Sequence, residues 1–112
     1  MPRLFSYGTL RQPKVQAELF GGPVPFSPDT LHGWVECDVT VTDSDVIRLS
    51  GKAVHPGLVR GEGPPIAGAV LELTDTQLAA ADDYEVSDYA RVDVTLASGR
   101  EAIVYVSASH SR

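Results

Sequence analysis

The 112-residue sequence is poor in the residues that build disulfides, metal sites and nucleic-acid interfaces. Its single cysteine, Cys37, excludes an intrachain disulfide and a thiolate metal cluster. The three histidines, His32, His55 and His110, are far apart and lack the spacing of a zinc site. Only 9 lysines and arginines stand against 15 aspartates and glutamates. The resulting net charge of −6 argues against nucleic acid and anionic membranes as partners.

Long apolar runs are also missing. No segment approaches the ~20 residues of a membrane-spanning helix, and the first residues carry no signal-peptide pattern. We therefore expect a cytoplasmic protein without a metal. The sequence has 43% hydrophobic and 21% charged residues, which is the balance of a globular protein, and its length suits one domain over residues 1–112. Nothing in the composition predicts the oligomeric state.

Alternating apolar residues and helix-start signals predict an α+β fold. Thr74 and Gln77 fit a capping box, which places the start of a helix at Asp75. A turn containing Gly99 separates two alternating segments and predicts a β-hairpin. We expect helices near Pro13–Phe20 and Asp75–Asp83, and one curled sheet that contains Leu4–Tyr7, Ile66–Leu73, Arg91–Leu96 and Glu101–Val106.

The middle of the chain has weaker signals. Residues Leu31–Val41 alternate except at Gly33, which predicts a strand with a bend or bulge. Prolines in Gly22–Asp29 predict an irregular connection, Val46–Leu49 is expected to be a short strand, and the glycines and prolines of His55–Pro65 predict a long loop. The expected architecture is a barrel-like, mixed or antiparallel sheet with two short helices alongside.

Two segments carry the candidate site residues. Residues 4–11 read Leu-Phe-Ser-Tyr-Gly-Thr-Leu-Arg, a strand and glycine turn that lead to a helix start at Pro13. Such a turn gathers backbone N–H groups that can hold a carboxylate or an oxyanion, although spacing alone favours an ordinary strand-to-helix turn. Glu85, just after the second helix, is a candidate general base if desolvation raises its pKa above ~4.3. Its alternative is a solvated acid beside Asp82 and Asp83.

Several fragments match, in order, the pattern of a known family. They are residues 7–11 (Tyr-Gly-Thr-Leu-Arg), 68–73 (Gly-Ala-Val-Leu-Glu-Leu), 82–85 (Asp-Asp-Tyr-Glu), 89–91 (Tyr-Ala-Arg) and 104–105 (Val-Tyr). Together they resemble the γ-glutamylcyclotransferase-like superfamily, which includes AIG2-like and YtfP-like proteins, over essentially the whole chain. Ala81 replaces the leucine that the family has before the aspartate. Val86 replaces the glycine after the glutamate and is expected to narrow or reorient the site.

The resemblance implies a cavity between the Tyr-Gly loop and the glutamate. Enzymes of this kind release 5-oxoproline when the α-amine of a γ-glutamyl group attacks its own γ-carbonyl, and they need no cofactor. Carried over to this chain, Glu85 is the general acid and base, and a small γ-glutamyl amine, peptide or isopeptide is the substrate. The implied substrate-binding residues are Tyr7, Gly8, Thr9, Leu10, Arg11, Tyr89 and Tyr105. A non-catalytic binding module and an amide hydrolase, in which Glu85 activates water, remain as alternatives.

Overall fold

The computed structural model describes residues 2–85 and 89–107 and has an α+β fold. The strands are β1 (Arg3–Ser6), β2 (Phe26–Leu31), β3 (Trp34–Thr40), β4 (Val54–Arg60), β5 (Ile66–Glu72), β6 (Tyr89–Thr95) and β7 (Glu101–Ser107). The helices are α1 (Pro13–Phe20), α2 (Ser44–Ser50) and α3 (Asp75–Glu85), and a short 3-10 turn spans Thr9–Arg11. None of the helices within these residues is long and apolar enough to cross a membrane.

Five strands form one mixed sheet in the order β2-β5-β1-β7-β6, and β3 pairs with β4 in a two-stranded sheet. The central strand β1 is antiparallel to β5, with Phe5 opposite Val70, and parallel to β7, with Phe5 opposite Val104. β6 and β7 form the predicted hairpin, in which Thr95 lies opposite Glu101. All four segments predicted to share one sheet do so, which confirms that part of the prediction.

The large sheet lies between two layers. Successive side chains of a strand point to opposite faces, so Leu4 packs with the three helices while Phe5 packs with β3 and β4. Both side chains are fully buried. The central strand is therefore covered on both faces, and the loop that follows it starts between the two layers.

Two predicted irregular segments contain strands. Gly22–Asp29 was expected to be an irregular connection, but β2 begins within it, and β4 occupies the first half of the predicted loop His55–Pro65. In the part of the chain that the structure describes, β2 pairs only with β5 and β4 only with β3. Pro28 and Pro56 lack an N–H group, but an edge strand tolerates this because one of its sides has no neighbour. Tertiary pairing overrides the turn signal of these prolines.

The prediction of one bent strand over Leu31–Val41 is also corrected. The chain turns at Gly33, which has a φ of +87°, and this turn divides the segment between the end of β2 and the whole of β3. A positive φ is accessible to glycine because it has no Cβ. The residue predicted to bend one strand therefore separates two.

The helix α2 replaces the short strand predicted at Val46–Leu49, so the described residues contain three α-helices rather than the predicted two. The Asp43 carboxylate accepts hydrogen bonds from the backbone N–H groups of Asp45 at 2.9 Å and of Val46 at 3.1 Å. These bonds satisfy donors that have no partner in the first turn of a helix. The side-chain cap therefore outweighs the strand preference of a short apolar run.

The helix α3 begins with the predicted capping box. The Gln77 N–H donates to Thr74 Oγ1 at 3.1 Å, and the Thr74 N–H donates to Gln77 Oε1 at 2.9 Å. The helix continues beyond the predicted end at Asp83, so Glu85 belongs to the helix instead of following it. Because α3 is longer than predicted, the candidate base Glu85 is attached to the helix itself.

Candidate active site

A small cavity lies at the end of β1, where the loop after β1 meets β4, α3, β6 and β7. Its lining residues are Phe5, Ser6, Tyr7, Gly8, Thr9, Leu10, His55, Pro56, Glu85, Tyr89 and Tyr105. The structure thus brings Glu85 together with all the predicted substrate-binding residues except Arg11. The roles of these residues stay predictions, but their convergence from distant parts of the chain is a property of the fold.

The backbone of the loop after β1 offers unpaired donors. Within the described residues, the N–H groups of Gly8, Thr9 and Leu10 donate to no protein acceptor, and the first backbone bond of the turn runs from the Arg11 N–H to Gly8 O at 3.2 Å. Orphan N–H groups of this kind favour an anionic partner. The Arg11 guanidinium donates to Tyr7 O at 2.7 Å and to Gly8 O at 3.3 Å. Arg11 therefore braces the loop from outside the cavity.

Gly8 is required for close approach rather than for an unusual φ. Its φ is −135°, so the turn at this residue does not depend on the left-handed region that favours glycine. A Cβ added at Gly8 would lie 3.1 Å from Pro56 Cγ, which is closer than an ordinary van der Waals contact. Because Pro56 belongs to β4 and lines the same cavity, the missing Cβ lets the loop and β4 form adjoining walls.

Glu85 is the only carboxylate that lines the cavity within residues 2–85 and 89–107. Although the residue as a whole keeps some exposure, desolvation by the surrounding protein raises the pKa of its carboxyl group from 4.5 to about 8. In the part of the chain that the structure describes, no lysine or arginine lines the cavity to stabilise the charged form. At neutral pH both the protonated and the deprotonated form of Glu85 are therefore populated, so its carboxyl group can donate or accept a proton.

Three tyrosines shape the walls of the cavity. The hydroxyl of Tyr7 donates to Tyr105 O at 2.6 Å, and that of Tyr89 donates to Pro56 O at 2.7 Å. The hydroxyl of Tyr105 donates to Asp82 Oδ1 at 2.5 Å. Desolvation raises the pKa of Tyr7 and of Tyr105 well above the usual value of a phenol, so both stay neutral. Their hydroxyl protons are directed at protein acceptors, which fixes the orientation of the rings.

Asp82 ties the last turn of α3 to the sheet. Besides accepting from Tyr105 on β7, its Oδ1 lies 3.3 Å from Arg91 Nε on β6. Asp82 precedes Glu85 by three residues, a spacing that puts both on the same side of a helix. The contacts of Asp82 therefore position the turn that carries the candidate base.

Sequence reasoning missed part of the cavity wall. His55 and Pro56 line it, and the hydroxyl of Tyr84 forms a hydrogen bond of 2.8 Å with Thr9 Oγ1 at its edge. His55 is buried, and its Nε2 lies 2.9 Å from Lys52 O. A carbonyl oxygen only accepts, so Nε2 carries a proton and donates it to Lys52 O. No spacing in the sequence signals these residues, because β4 reaches the cavity only through tertiary packing.

The cavity is narrow in this structure. About 20 Å³ of it is open to the centre of a water molecule, which is room for about one water. A γ-glutamyl group is larger, so its binding has to move the walls apart. Within residues 2–85 and 89–107, no group of three or more histidines, cysteines, aspartates and glutamates is placed to hold a metal ion. Val86, which was predicted to narrow the site, lies outside the described residues.

The raised pKa of Glu85 predicts that stability falls as the pH rises. Between pH 4.5 and about 8 the native state keeps a proton that the unfolded state releases. The free energy of unfolding therefore falls in this window by up to ~1.4 kcal/mol per pH unit. This contribution is fully present below the unfolded pKa and is lost once the pH passes the folded one. Glu85→Gln removes the titrating group and its pH dependence.

Urea unfolding of both proteins at about pH 5.5 and about pH 9 measures this effect. The wild type is expected to lose stability relative to Glu85→Gln between the two conditions. Other titrating groups contribute equally to both proteins and cancel in the difference. Parallel pH dependences would contradict the burial of the Glu85 charge.

Comparison with known proteins places this geometry in a family. The model of the family described as gamma-glutamyl cyclotransferase, AIG2-like, matches residues 4–112. No protein in the search of curated sequences matches. The match covers the Tyr-Gly loop, Glu85 and the strands that bring them together, so it includes every element that forms the cavity.

Solved structures share the fold at low sequence identity. The solution structure of Arabidopsis thaliana At3g28950.1 is 21% identical with a TM-score of 0.71, and the match covers 99% of this chain and 64% of that one. Arabidopsis thaliana At5g39720.1 is 20% identical with a TM-score of 0.72, covering 99% and 71%. The uncharacterized protein PH0828 from Pyrococcus horikoshii is 22% identical with a TM-score of 0.66, covering 100% and 82%.

These identities show a common fold and do not carry an activity from one protein to another. The chain spans less than two thirds of the length of At3g28950.1. The family match is more specific, because it extends over nearly the whole sequence. From this match and the shared fold we conclude that the chain belongs to the γ-glutamylcyclotransferase family of the AIG2-like type.

Proposed function

We propose that the protein is a γ-glutamylcyclotransferase-type enzyme that releases 5-oxoproline from a γ-glutamyl amine or peptide. One observation carries the proposal: a single cavity combines the desolvated carboxyl group of Glu85 with the unpaired N–H groups of Gly8, Thr9 and Leu10. An acid–base group and a cluster of oxyanion donors are what intramolecular aminolysis needs. Family membership supports this reaction class.

In the proposed reaction the α-amine of the glutamyl group attacks its own γ-carbonyl carbon. A new C–N bond closes the five-membered lactam, and the C–N bond to the leaving amine breaks. An α-ammonium group is not nucleophilic, so Glu85 first accepts a proton from it and later protonates the leaving nitrogen. The reaction is intramolecular and consumes neither water nor a second reactant. Positioning supplies much of the rate enhancement, because both reacting groups belong to one molecule.

The environment of Glu85 suits this proton transfer. Its pKa of about 8 is much closer to that of an amine than the ~4.3 of an ordinary glutamate is, so transfer of a proton from the α-ammonium group is less unfavourable. A carboxylate with an ordinary pKa would be a much weaker base. The N–H groups of the loop stabilise either the α-carboxylate of the substrate or the oxyanion that develops on the γ-carbonyl oxygen.

Product analysis tests the proposal. The protein is incubated with γ-glutamyl amides of amino acids and of simple amines, and both 5-oxoproline and glutamate are quantified. We expect 5-oxoproline and free amine in equal amounts, with no glutamate. Release of glutamate would instead show that Glu85 activates water. Ligand-induced stabilisation without either product would show a binding module. Both of these results would overturn the proposal.

A further inference from the structure

A second depression lies on the outer side of the loop after β1. It has a volume of about 340 Å³, much larger than the cavity, and we call it the basic groove. Tyr7, Gly8, Thr9 and Pro56 line both it and the cavity. The groove, unlike the cavity, is also lined by Arg11, Gln12 and Lys52. The groove is therefore the natural extension of the cavity for a ligand that crosses the contact between the loop and β4.

The charge of the groove is opposite to that of the protein. Among the described residues, Arg11 and Lys52 line it and no carboxylate does, while the whole chain has a net charge of −6. Within the described residues neither cation forms an ion pair; the ion pairs there join Arg91 to Asp82 and Arg100 to Asp29. A pair of unneutralised cations on an acidic protein attracts an anion locally.

Hydrogen bonds hold the guanidinium of Arg11 and the backbone of Lys52. The Arg11 guanidinium donates through Nη2 and Nε to the carbonyl oxygens of Tyr7 and Gly8, and its Nη1 donates to no acceptor among the described residues. The Lys52 backbone is anchored at both ends, because its N–H donates to Ser50 Oγ and its carbonyl oxygen lies 2.9 Å from His55 Nε2. A braced guanidinium and a nearby ammonium suit recognition of a carboxylate.

We propose that the basic groove binds the leaving half of the substrate and selects a leaving amine that carries a carboxylate. This inference rests on the proposed function. With the glutamyl group in the cavity, the scissile amide lies at the contact between Gly8 and Pro56, and the remainder of the substrate extends toward Arg11 and Lys52. The substrate class is therefore a γ-glutamyl amino acid or peptide, rather than a γ-glutamyl derivative of a neutral or cationic amine.

Two substrates that differ only in charge test this selectivity. γ-Glutamylglycine ends in a carboxylate, and γ-glutamylglycinamide is its neutral counterpart of nearly the same size. The wild type is expected to favour γ-glutamylglycine about tenfold in kcat/KM. This preference should fall as salt is added, because the groove is open to solvent. A γ-glutamyl amide of ethylenediamine, which ends in an ammonium group, should be the poorest substrate.

Variants connect the preference with the groove. Lys52→Gln is expected to lower the ratio of kcat/KM for the two substrates several-fold, and Lys52→Gln combined with Arg11→Gln should bring it close to one. Arg48→Gln is the matched control, because Arg48 also lies on the surface but lines a different depression, beside α2. It should keep the wild-type ratio. If Arg11→Gln destabilises the loop, the effect of Lys52→Gln alone on the ratio of kcat/KM still tests the inference.

Binding separates failure of the inference from failure of the proposed function. The affinities of Glu85→Gln protein for γ-glutamylglycine and γ-glutamylglycinamide are compared by calorimetry, where no turnover is needed. An affinity ratio that Lys52→Gln abolishes would support the groove even if no 5-oxoproline were formed. Equal affinities, or a ratio that Lys52→Gln leaves unchanged, would overturn the inference even if the protein released 5-oxoproline rapidly.

Discussion

Replacing Glu85 by glutamine is expected to lower the rate of 5-oxoproline release by about two to four orders of magnitude, the usual contribution of general acid–base catalysis. Glutamine keeps the size of the side chain and much of its hydrogen bonding but cannot accept the proton of the α-ammonium group. The variant should stay folded and bind a γ-glutamyl ligand at least as well as the wild type does, because a desolvated charge has been removed.

The pH dependence gives a second test of the same residue. Only the deprotonated carboxylate acts as the base, so kcat/KM of the wild type should rise with pH and level off above the Glu85 pKa of about 8. The residual activity of Glu85→Gln should lack this inflection. A wild-type profile with no inflection near this pH would mean that another group transfers the proton.

Asp83→Asn provides the control for Glu85→Gln. Asp83 lies two positions earlier on α3 and is exposed, so its carboxylate is the solvated acid that Glu85 would be if it had no role in the site. We expect Asp83→Asn to change neither turnover nor stability appreciably. Release of 5-oxoproline by Glu85→Gln at the wild-type rate would show that another residue has the catalytic role, which would contradict the prediction.

Replacing Gly8 by valine is expected to reduce both stability and ligand binding. The new Cβ would lie 3.1 Å from Pro56 Cγ, and the two further methyl groups need space in the cavity or in the basic groove. Overpacking of this kind typically lowers the free energy of unfolding by ~1–3 kcal/mol. Movement of the loop also misplaces the N–H groups of Thr9 and Leu10, so affinity for a γ-glutamyl ligand should fall by about tenfold or more.

Gly61→Val separates crowding from damage to the site. A Cβ at Gly61 would also lie 3.1 Å from a side-chain atom, Val35 Cγ2, but Gly61 follows the far end of β4. Chemical denaturation should show comparable stability losses for the two variants, while calorimetry should show a loss of affinity for Gly8→Val alone. Thr9→Ser, which keeps the hydroxyl that bonds to Tyr84, should have little effect. Wild-type affinity in Gly8→Val would show that the loop does not contact the ligand.

Local patterns predicted those elements whose stabilising contacts are close in sequence. The capping box of Thr74 and Gln77 starts α3 as expected, and the β6–β7 hairpin closes around Gly99. In each case the signal and the structure lie within a few residues of each other. The β1 strand was also predictable, because a short apolar run that ends at a glycine is typical of a buried strand.

Elements whose partners are distant in sequence were predicted poorly. β2 and β4 contain Pro28 and Pro56, which are turn signals, and they become strands only because β5 and β3 supply neighbours. The apolar run from Val46 is compatible with a short strand or with a helix, and the side-chain cap of Asp43 selects the helix. Pairing energy and cap energy decide such segments, and neither is visible in periodicity alone.

The sequence by itself determined the candidate residues and the family pattern to which they belong. Tyr7-Gly8-Thr9 and Glu85 were identified as site residues through the resemblance to the family pattern, because their types and spacing alone left an ordinary turn and a solvated acid as alternatives. Tertiary structure decided what each of them contacts. Packing desolvates Glu85 and raises its pKa, places Arg11 outside the cavity beside Lys52, and makes Gly8 necessary through Pro56 rather than through its φ. Dielectric environment and close approach depend on atoms that are far away in sequence, so only the folded chain sets them.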